Sequence, residues 1–257
     1  MKWLTQAPRL WAALLMVTVL CGWEWAAQAF NFSALVLPAP SVVGKALWNG
    51  LRSGYLWPHI WQTAMELLLG LLVGSVVGFA SGVWMAESAF LRRVLMPYVV
   101  TSQVVPKLAL APLFIVWFGF GMLPTVVITA LICFFPLLEN TLTALQRVEP
   151  QRLELFRMLG ATRWQTLWRL KVRAGLPGIL AGLRVAVVLA LVGAVVAEFM
   201  GATQGLGALI IAAQGSMDTP LMFAVLVLIT LLGLALYQST LWLEHRLLKP
   251  YLPIQGD

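Results

Sequence analysis

Six apolar runs, each about 20 residues or longer, recur along the chain, at about residues 10–29, 61–85, 94–118, 124–145, 178–200 and 221–243. A run of that length is what an α-helix needs to cross the hydrocarbon of a bilayer. Inside lipid, water cannot satisfy a backbone N–H or C=O, so spanning segments of this kind close their hydrogen bonds within helices. The sequence therefore predicts an all-α polytopic membrane protein with six transmembrane helices in one transmembrane domain, residues 1–257. Only 11% of residues are charged, and their placement sets the orientation. Lys2, Arg9, Arg92, Arg93, Arg246, Lys249 and the seven cations from Arg147 to Arg173 fall at one set of span ends. Lys45 and Arg52 fall at the other, and Lys107 and Arg184 lie within spans. Cations concentrate on the cytoplasmic side, so both termini are expected there. The net charge of +7 then belongs to anionic membrane lipid and a cytosolic partner rather than to nucleic acid.

The first run has two readings. Its basic start and Ala27-Gln28-Ala29 fit a cleaved signal peptide. Trp23, Glu24 and Trp25 fit the interfacial end of a retained helix, which is the preferred reading. In the second run Gly70, Gly74, Gly78 and Gly82 recur every fourth residue and line one helix face, where another helix can approach closely. Glu66 continues that row, and an ionisable group inside a span is a candidate for the solute pathway; the plainer reading is a residue near the outer boundary that reaches water. The third run holds Pro97, Pro106 and Pro112 with Gln103 and Lys107 between them, so it is not expected to form one regular helix. Irregular backbone at membrane depth needs protein or water beside it. Lys107 should therefore face inward, either on the pathway or in an ion pair with Glu198 or Glu139. Gln103, Lys107, Trp117, Glu198 and Glu66 form the candidate pathway set. Glu139 and Asn140 are read as capping or snorkelling groups.

The longest polar interval, Glu149 to Pro177, separates the fourth and fifth runs. Pro150 suits a first helical position, and Leu153, Phe156 and Leu159 keep helical spacing. Gly160 should end that helix, because glycine tolerates the left-handed conformation required there. Thr162 and Gln165 form a capping box that starts a second short helix, with Trp164, Leu167 and Trp168 on its apolar face. Two capped helices around a glycine at a membrane surface suit the docking of another protein.

Glu154, Gly160 six residues later, and Leu176-Pro177 resemble the EAA loop of bacterial ABC importer permeases; Leu155 and Phe156 stand where that motif has alanines. The resemblance extends over about residues 40 to 245 and places the chain near the nitrate, sulfonate and taurine group. Gln103 to Pro112, Trp117 to Gly121 and Gly193 to Phe199 are most similar to the branch serving pyrimidine- or riboflavin-type vitamin precursors. The resemblance implies a homodimer in the bacterial inner membrane, two ATP-binding subunits below it and an extracytoplasmic substrate-binding protein above it. It also implies that Glu154, Leu159, Gly160, Ala161, Arg163 and Trp164 couple the chain to the ATPase, with ATP and magnesium held by that partner. The alternatives are a sulfonate, taurine or nitrate importer, and an ion-coupled secondary transporter, for which broken spans are also typical.

An enzyme is not expected. The sequence has no H-E-x-x-H, no G-x-S-x-G and no nucleotide-binding G-x-x-x-x-G-K-[ST]. His59 and His245 lie near opposite membrane faces, and Cys21 and Cys133 both sit in apolar runs, so neither a metal site nor a disulfide framework is expected.

Overall fold

A computed structural model describes residues 8–30 and 33–249 of the chain; Lys2 lies outside the described residues. The elements in order are α1 (Pro8–Ala29), α2 (Pro40–Arg52), α3 (Trp57–Glu87), α4 (Ala89–Val104), a 3₁₀ turn (Lys107–Leu110) and α5 (Ala111–Phe118). Then follow α6 (Met122–Gln146), α7 (Pro150–Met158), α8 (Arg163–Thr166), a π-helical turn (Leu167–Lys171), α9 (Val172–Gly201), α10 (Leu206–Gly215) and α11 (Thr219–Leu248). Five helical stretches are long and apolar enough to cross a membrane. The pair α4 and α5, with its 3₁₀ turn, supplies a sixth crossing when counted as one span, although it bends by 81°.

That bend falls where the proline spacing predicts it. Pro97 is carried inside α4, Pro106 sits at the break, and Pro112 occupies the first turn of α5, where a missing N–H costs nothing. The interval after α6 divides differently from expectation. α7 ends as foreseen, with Gly160 at φ +70°. The Gly160 N–H donates to Arg157 O and the Ala161 N–H to Phe156 O, both at 3.0 Å, which is a Schellman closure. Thr162 and Gln165 make the full capping box. The helix they start is not short, however. It runs on through the π turn into α9, so one apolar helical stretch extends from Arg163 to Gly201. Pro177 interrupts nothing because it lies within that helix.

The core is a three-helix slab of α3, α6 and α9. The glycine row of α3 lies against α6: a Cβ at Gly70 would meet Thr129, at Gly74 Ala130 and Cys133, at Gly78 Phe134 and Leu137, and at Gly82 Leu138 and Thr141. On its other side α6 meets Gly175, Gly178, Gly182 and Gly193 of α9 in antiparallel order. Helix backbones come this close only where side chains are reduced to hydrogen. Arg184 of α9 reaches Glu244 of α11 at 3.1 Å, so this charge is paired inside the helical layer. At the opposite end from α7, Leu47 and Leu51 of the amphipathic α2 pack on a cluster of Leu56, Leu206, Leu209, Ile210 and Val225. Glu24 near the end of α1 accepts from the Ser41 N–H at 2.9 Å and hydroxyl at 2.8 Å. It thereby joins α1 to the first turn of α2.

This packing predicts a positional contrast. Gly74→Val should lower stability by about 1–3 kcal/mol, the usual cost of overpacking a fitted contact. Gly22→Ala, which meets nothing within 4 Å, should leave it unchanged. Thermal unfolding of the two variants in the same detergent checks the difference.

Candidate functional site

Two polar assemblies lie within the helical bundle, and they divide the candidate pathway residues between them. The first surrounds the break between α4 and α5. Gln103 closes α4, Lys107 opens the 3₁₀ turn, and both line a cavity of about 600 Å³. Phe135, Pro136, Glu139 and Asn140 of α6 form a second wall, and Val185, Leu189 and Val192 of α9 form a third. Lys107 Nζ stands 4.3 Å from the centre of the Phe135 ring, a favourable place for a cation with little competing water. Among the described residues Lys107 makes no ion pair, so the expected partnership with Glu198 or Glu139 is not formed. Asn140 Nδ2 donates to Pro136 O at 2.8 Å across the kinked turn of α6. Glu139 and Asn140, read from sequence as capping or snorkelling groups, therefore border the same space as Lys107.

The chemistry of this cavity follows from its walls. One ammonium, one carboxylate and two amides sit beside aromatic and aliphatic surface. Such a lining can orient a small polar or heteroaromatic solute without holding it tightly. Trp117 is not part of it. That indole is 62% exposed and packs edge-on against Phe114 at 5.8 Å between ring centres.

The second assembly is buried at its centre, with His59 and Gln62 half-buried at its edge. Glu66, Thr63, Thr125 and Thr129 lie on the facing sides of α3 and α6, and Glu198 comes from the last turn of α9. The Thr63 hydroxyl donates to Glu198 Oε1 at 2.6 Å and accepts from the Leu206 N–H at 2.7 Å. Glu198 Oε2 accepts from the Gly207 N–H at 2.5 Å, so a carboxylate and a hydroxyl satisfy the first amides of α10. These are the donors a helix leaves unpaired at its N-terminus. Gln62 Nε2 donates to Glu66 Oε1 at 2.6 Å, while Glu66 Oε2 is buried without a hydrogen-bond partner. His59 Nδ1 lies 3.2 Å from the Gly205 nitrogen and 3.0 Å from its oxygen.

Gly205 is required twice over. Its φ is +129°, and a Cβ there would stand 2.5 Å from Glu198 Oε1. Neither Glu66 nor Glu198 lines the cavity of Gln103 and Lys107; Glu198, with Thr63, fixes α10 against α3 and α9. Sequence reading missed Thr63, His59 and Gln62 as members of this cluster. The available signal was a carboxylate seven and nine residues ahead of two glycines that open a short apolar helix, a spacing suited to capping from outside the helix.

The residues matched to ATPase coupling cluster at the other end. Leu155, Met158 and Leu159 of α7 and its cap are all exposed, Met158 by 83% and Leu159 by 72%. Glu154 is exposed beside them, and Gly160 makes the turn. Trp164 differs from this group: it points along α3 and borders a groove with Phe79 and Trp84.

Comparison with known proteins agrees with this architecture. Residues 70–249 match the family described as "Binding-protein-dependent transport system inner membrane component". The chain is similar to the riboflavin transport system permease protein RibX of Chloroflexus aurantiacus, at 36% identity over 94% of this chain and 90% of that one. It is similar to the formylaminopyrimidine transport permease protein ThiX of Halalkalibacterium halodurans, at 40% identity over 62% and 63% of the two chains. The taurine transport system permease protein TauC of Escherichia coli is 29% identical over 90% and 86%. Among solved structures, a chain of the inward-facing MetNI methionine ABC transporter superposes with a TM-score of 0.67, at 20% identity, covering 75% of this chain and 95% of that one.

The buried cluster makes a measurable prediction. Thr63→Val keeps the side-chain volume but removes both hydrogen bonds, leaving a buried donor and acceptor unpaired at about 1–3 kcal/mol. Amide exchange at residues 206–210 should then accelerate by roughly 5- to 150-fold, with α6 unaffected, as read by hydrogen–deuterium exchange with peptide resolution.

Proposed function

The chain belongs to the family of binding-protein-dependent transport system inner membrane components and is a permease subunit of an ABC transporter; on that premise we propose that it imports a small heterocyclic solute of the riboflavin or thiamine-pyrimidine kind. The observation that carries the substrate class is the similarity to RibX over nearly the whole of both chains. The cavity around Lys107 supports it, because a neutral balance of ammonium and carboxylate beside Phe135 suits a flat polar ring better than a fully ionised sulfonate. A sulfonate or taurine substrate is the second reading, favoured by the similarity to TauC. The ion-coupled alternative gives way to an ATP-driven one with the family assignment.

The working unit in this proposal is a homodimer in the bacterial inner membrane, with both termini cytoplasmic. The exposed break is the physical argument for a second copy. Residues 101–106 are all exposed in the single chain, and broken backbone at membrane depth needs protein or a wet cavity against it. A second copy across this face would enclose the two cavities as one pathway. Hydrolysis belongs to ATP-binding subunits that dock on α7, and an extracytoplasmic binding protein delivers solute to the loops near Gly205. ATP binding moves α7 with Glu154, Leu159, Gly160 and Ala161. The stretch beginning at Arg163 enters the membrane without interruption, so that motion reaches α9 and the cavity wall as a rigid lever.

Two experiments test this. The tagged permease should co-purify with an ATP-binding subunit, and Gly160→Val should preserve that complex while abolishing solute-stimulated ATPase activity. The expected cause is the cost, about 1–2 kcal/mol, of forcing a β-branched residue into a left-handed conformation that shapes the docking turn. Wild-type stimulation by the variant would overturn the role of this turn. Separately, Lys107→Ala should lower uptake of the matching heterocycle at least about tenfold if the lysine contributes a charge-assisted hydrogen bond of roughly 1.5–3 kcal/mol. Unchanged uptake with unchanged stability would remove Lys107 from the pathway.

A further inference from the structure

A second concave feature lies apart from the solute cavity, at the end of α3 nearest α7. It is a groove of about 390 Å³ between the last turns of α3 and the stretch that starts at Arg163. Phe79, Val83 and Trp84 form one side, and Leu167, Trp168 and Trp164 the other. The aromatic rings form a continuous edge: Phe79 and Trp168 are 6.4 Å apart between centres, and Trp168 and Trp164 are 5.6 Å apart. Trp84 and Trp164 are 67% and 68% exposed, so two indoles stand in the open among the described residues.

Position and charge together identify the occupant. Along α3 the groove runs from Phe79, two turns before the helix ends, to Glu87 at its last residue. With the orientation proposed above, that is the level where the hydrocarbon of the cytoplasmic leaflet gives way to headgroups, and where Trp residues concentrate. Glu87 is the groove's carboxylate, and Lys171 neutralises it at 2.6 Å. Among the described residues Arg163 makes no ion pair, which leaves the groove with one uncompensated guanidinium beside a long apolar wall. This suits an amphiphile with an anionic head. It does not suit a face of the ATP-binding subunit as well, because most of the wall belongs to a span and the exposed apolar residues of α7 already form a separate patch.

We propose that this groove binds an anionic phospholipid of the cytoplasmic leaflet. One acyl chain lies along Phe79, Val83 and Trp168, and the phosphate meets Arg163. The lipid would then contact both α3 and the helical stretch that carries movement from α7, so leaflet composition would bear on coupling. The site rests on the proposed orientation only for its leaflet, and binding in detergent solution is independent of it.

The test is native mass spectrometry of the full-length permease in complex with its ATP-binding subunits, exposed in detergent to phosphatidylglycerol or to phosphatidylcholine. Wild type should retain phosphatidylglycerol about fivefold better, as one cation near a lipid headgroup warrants. Arg163→Gln should reduce that preference to parity, and Trp84→Ala should weaken retention of both lipids. Arg52→Gln, at the opposite membrane face, should change neither. Equal retention of the two lipids by wild type, an unaltered preference in Arg163→Gln, or an equal loss in Arg52→Gln would each overturn the proposal. A bromine-labelled phosphatidylglycerol should also quench fluorescence that is lost in Trp84→Phe. Absence of that quenching in the assembled complex would mean that protein, not lipid, covers the groove.

Discussion

Backbone-to-backbone contact between α3 and α6 is the constraint on which the rest of the structure depends. In a bilayer the lipid tails are as apolar as leucine, so burying leucine supplies little drive for helix association. Close dispersion contact takes over that role, and it grows only as helix axes approach. Gly70, Gly74, Gly78 and Gly82 remove the side chains that would hold the axes apart, and α6 settles on them. On its other side α6 receives the glycines of α9. Every functional feature is referred to this slab. The cavity around Lys107 lies against α6 and α9, the buried carboxyl cluster sits among α3, α6 and α9, and the groove beside Trp84 opens at the end of α3.

Two polar assemblies of the bundle sit where a helix is interrupted. The break between α4 and α5 frees backbone groups, and Lys107, Gln103, Glu139 and Asn140 gather there. The start of α10 exposes amides inside the bundle, and Thr63 and Glu198 meet them at 2.5–2.7 Å. Both follow one rule: hydrocarbon leaves no cheap alternative for an unpaired donor or acceptor. The two places differ in consequence. The first keeps its polar groups facing open space and so can exchange partners with a solute. In the second, Thr63 and Glu198 are committed to each other and to the α10 amides, while Glu66 Oε2 and Thr129 Oγ1 are buried without a hydrogen-bond partner.

Between α7 and the cavity wall the chain has a further continuity. Gly160 closes α7, Thr162 caps the next helix, and that helix then crosses the membrane unbroken to Gly201. A docking element joined to the bundle by a flexible link would lose its motion at the joint. Here the irregularities are the π turn at Leu167–Lys171 and Pro177 inside α9, and the helical stretch continues through both.

Local chemistry made much of this legible in the sequence. Apolar run lengths gave the crossings, proline spacing gave the broken span, the four-residue glycine period gave the contact face of α3, and the T-x-x-Q box and Gly160 gave the turn. Each is a short-range property, decided within about two helical turns. What only the tertiary structure decided is which distant groups meet. Glu66 and Glu198 looked like pathway residues because an ionisable side chain within a span carries no label for its partner. Folding places Thr63 and the α10 amides beside Glu198, 135 and 9 residues away in sequence respectively, and sets Glu139 opposite Lys107. Likewise Trp164 belongs to a docking loop by sequence and to the groove beside Phe79 and Trp84 by position. The sequence by itself determined helix content, span count, the charge asymmetry and the capped turn, because these follow from hydrogen bonding and transfer from water, residue by residue. The division of polar groups between the cavity around Lys107 and the buried cluster of Thr63 and Glu198 was decided by helix packing, because it depends on the relative rotation of helices that no local period encodes.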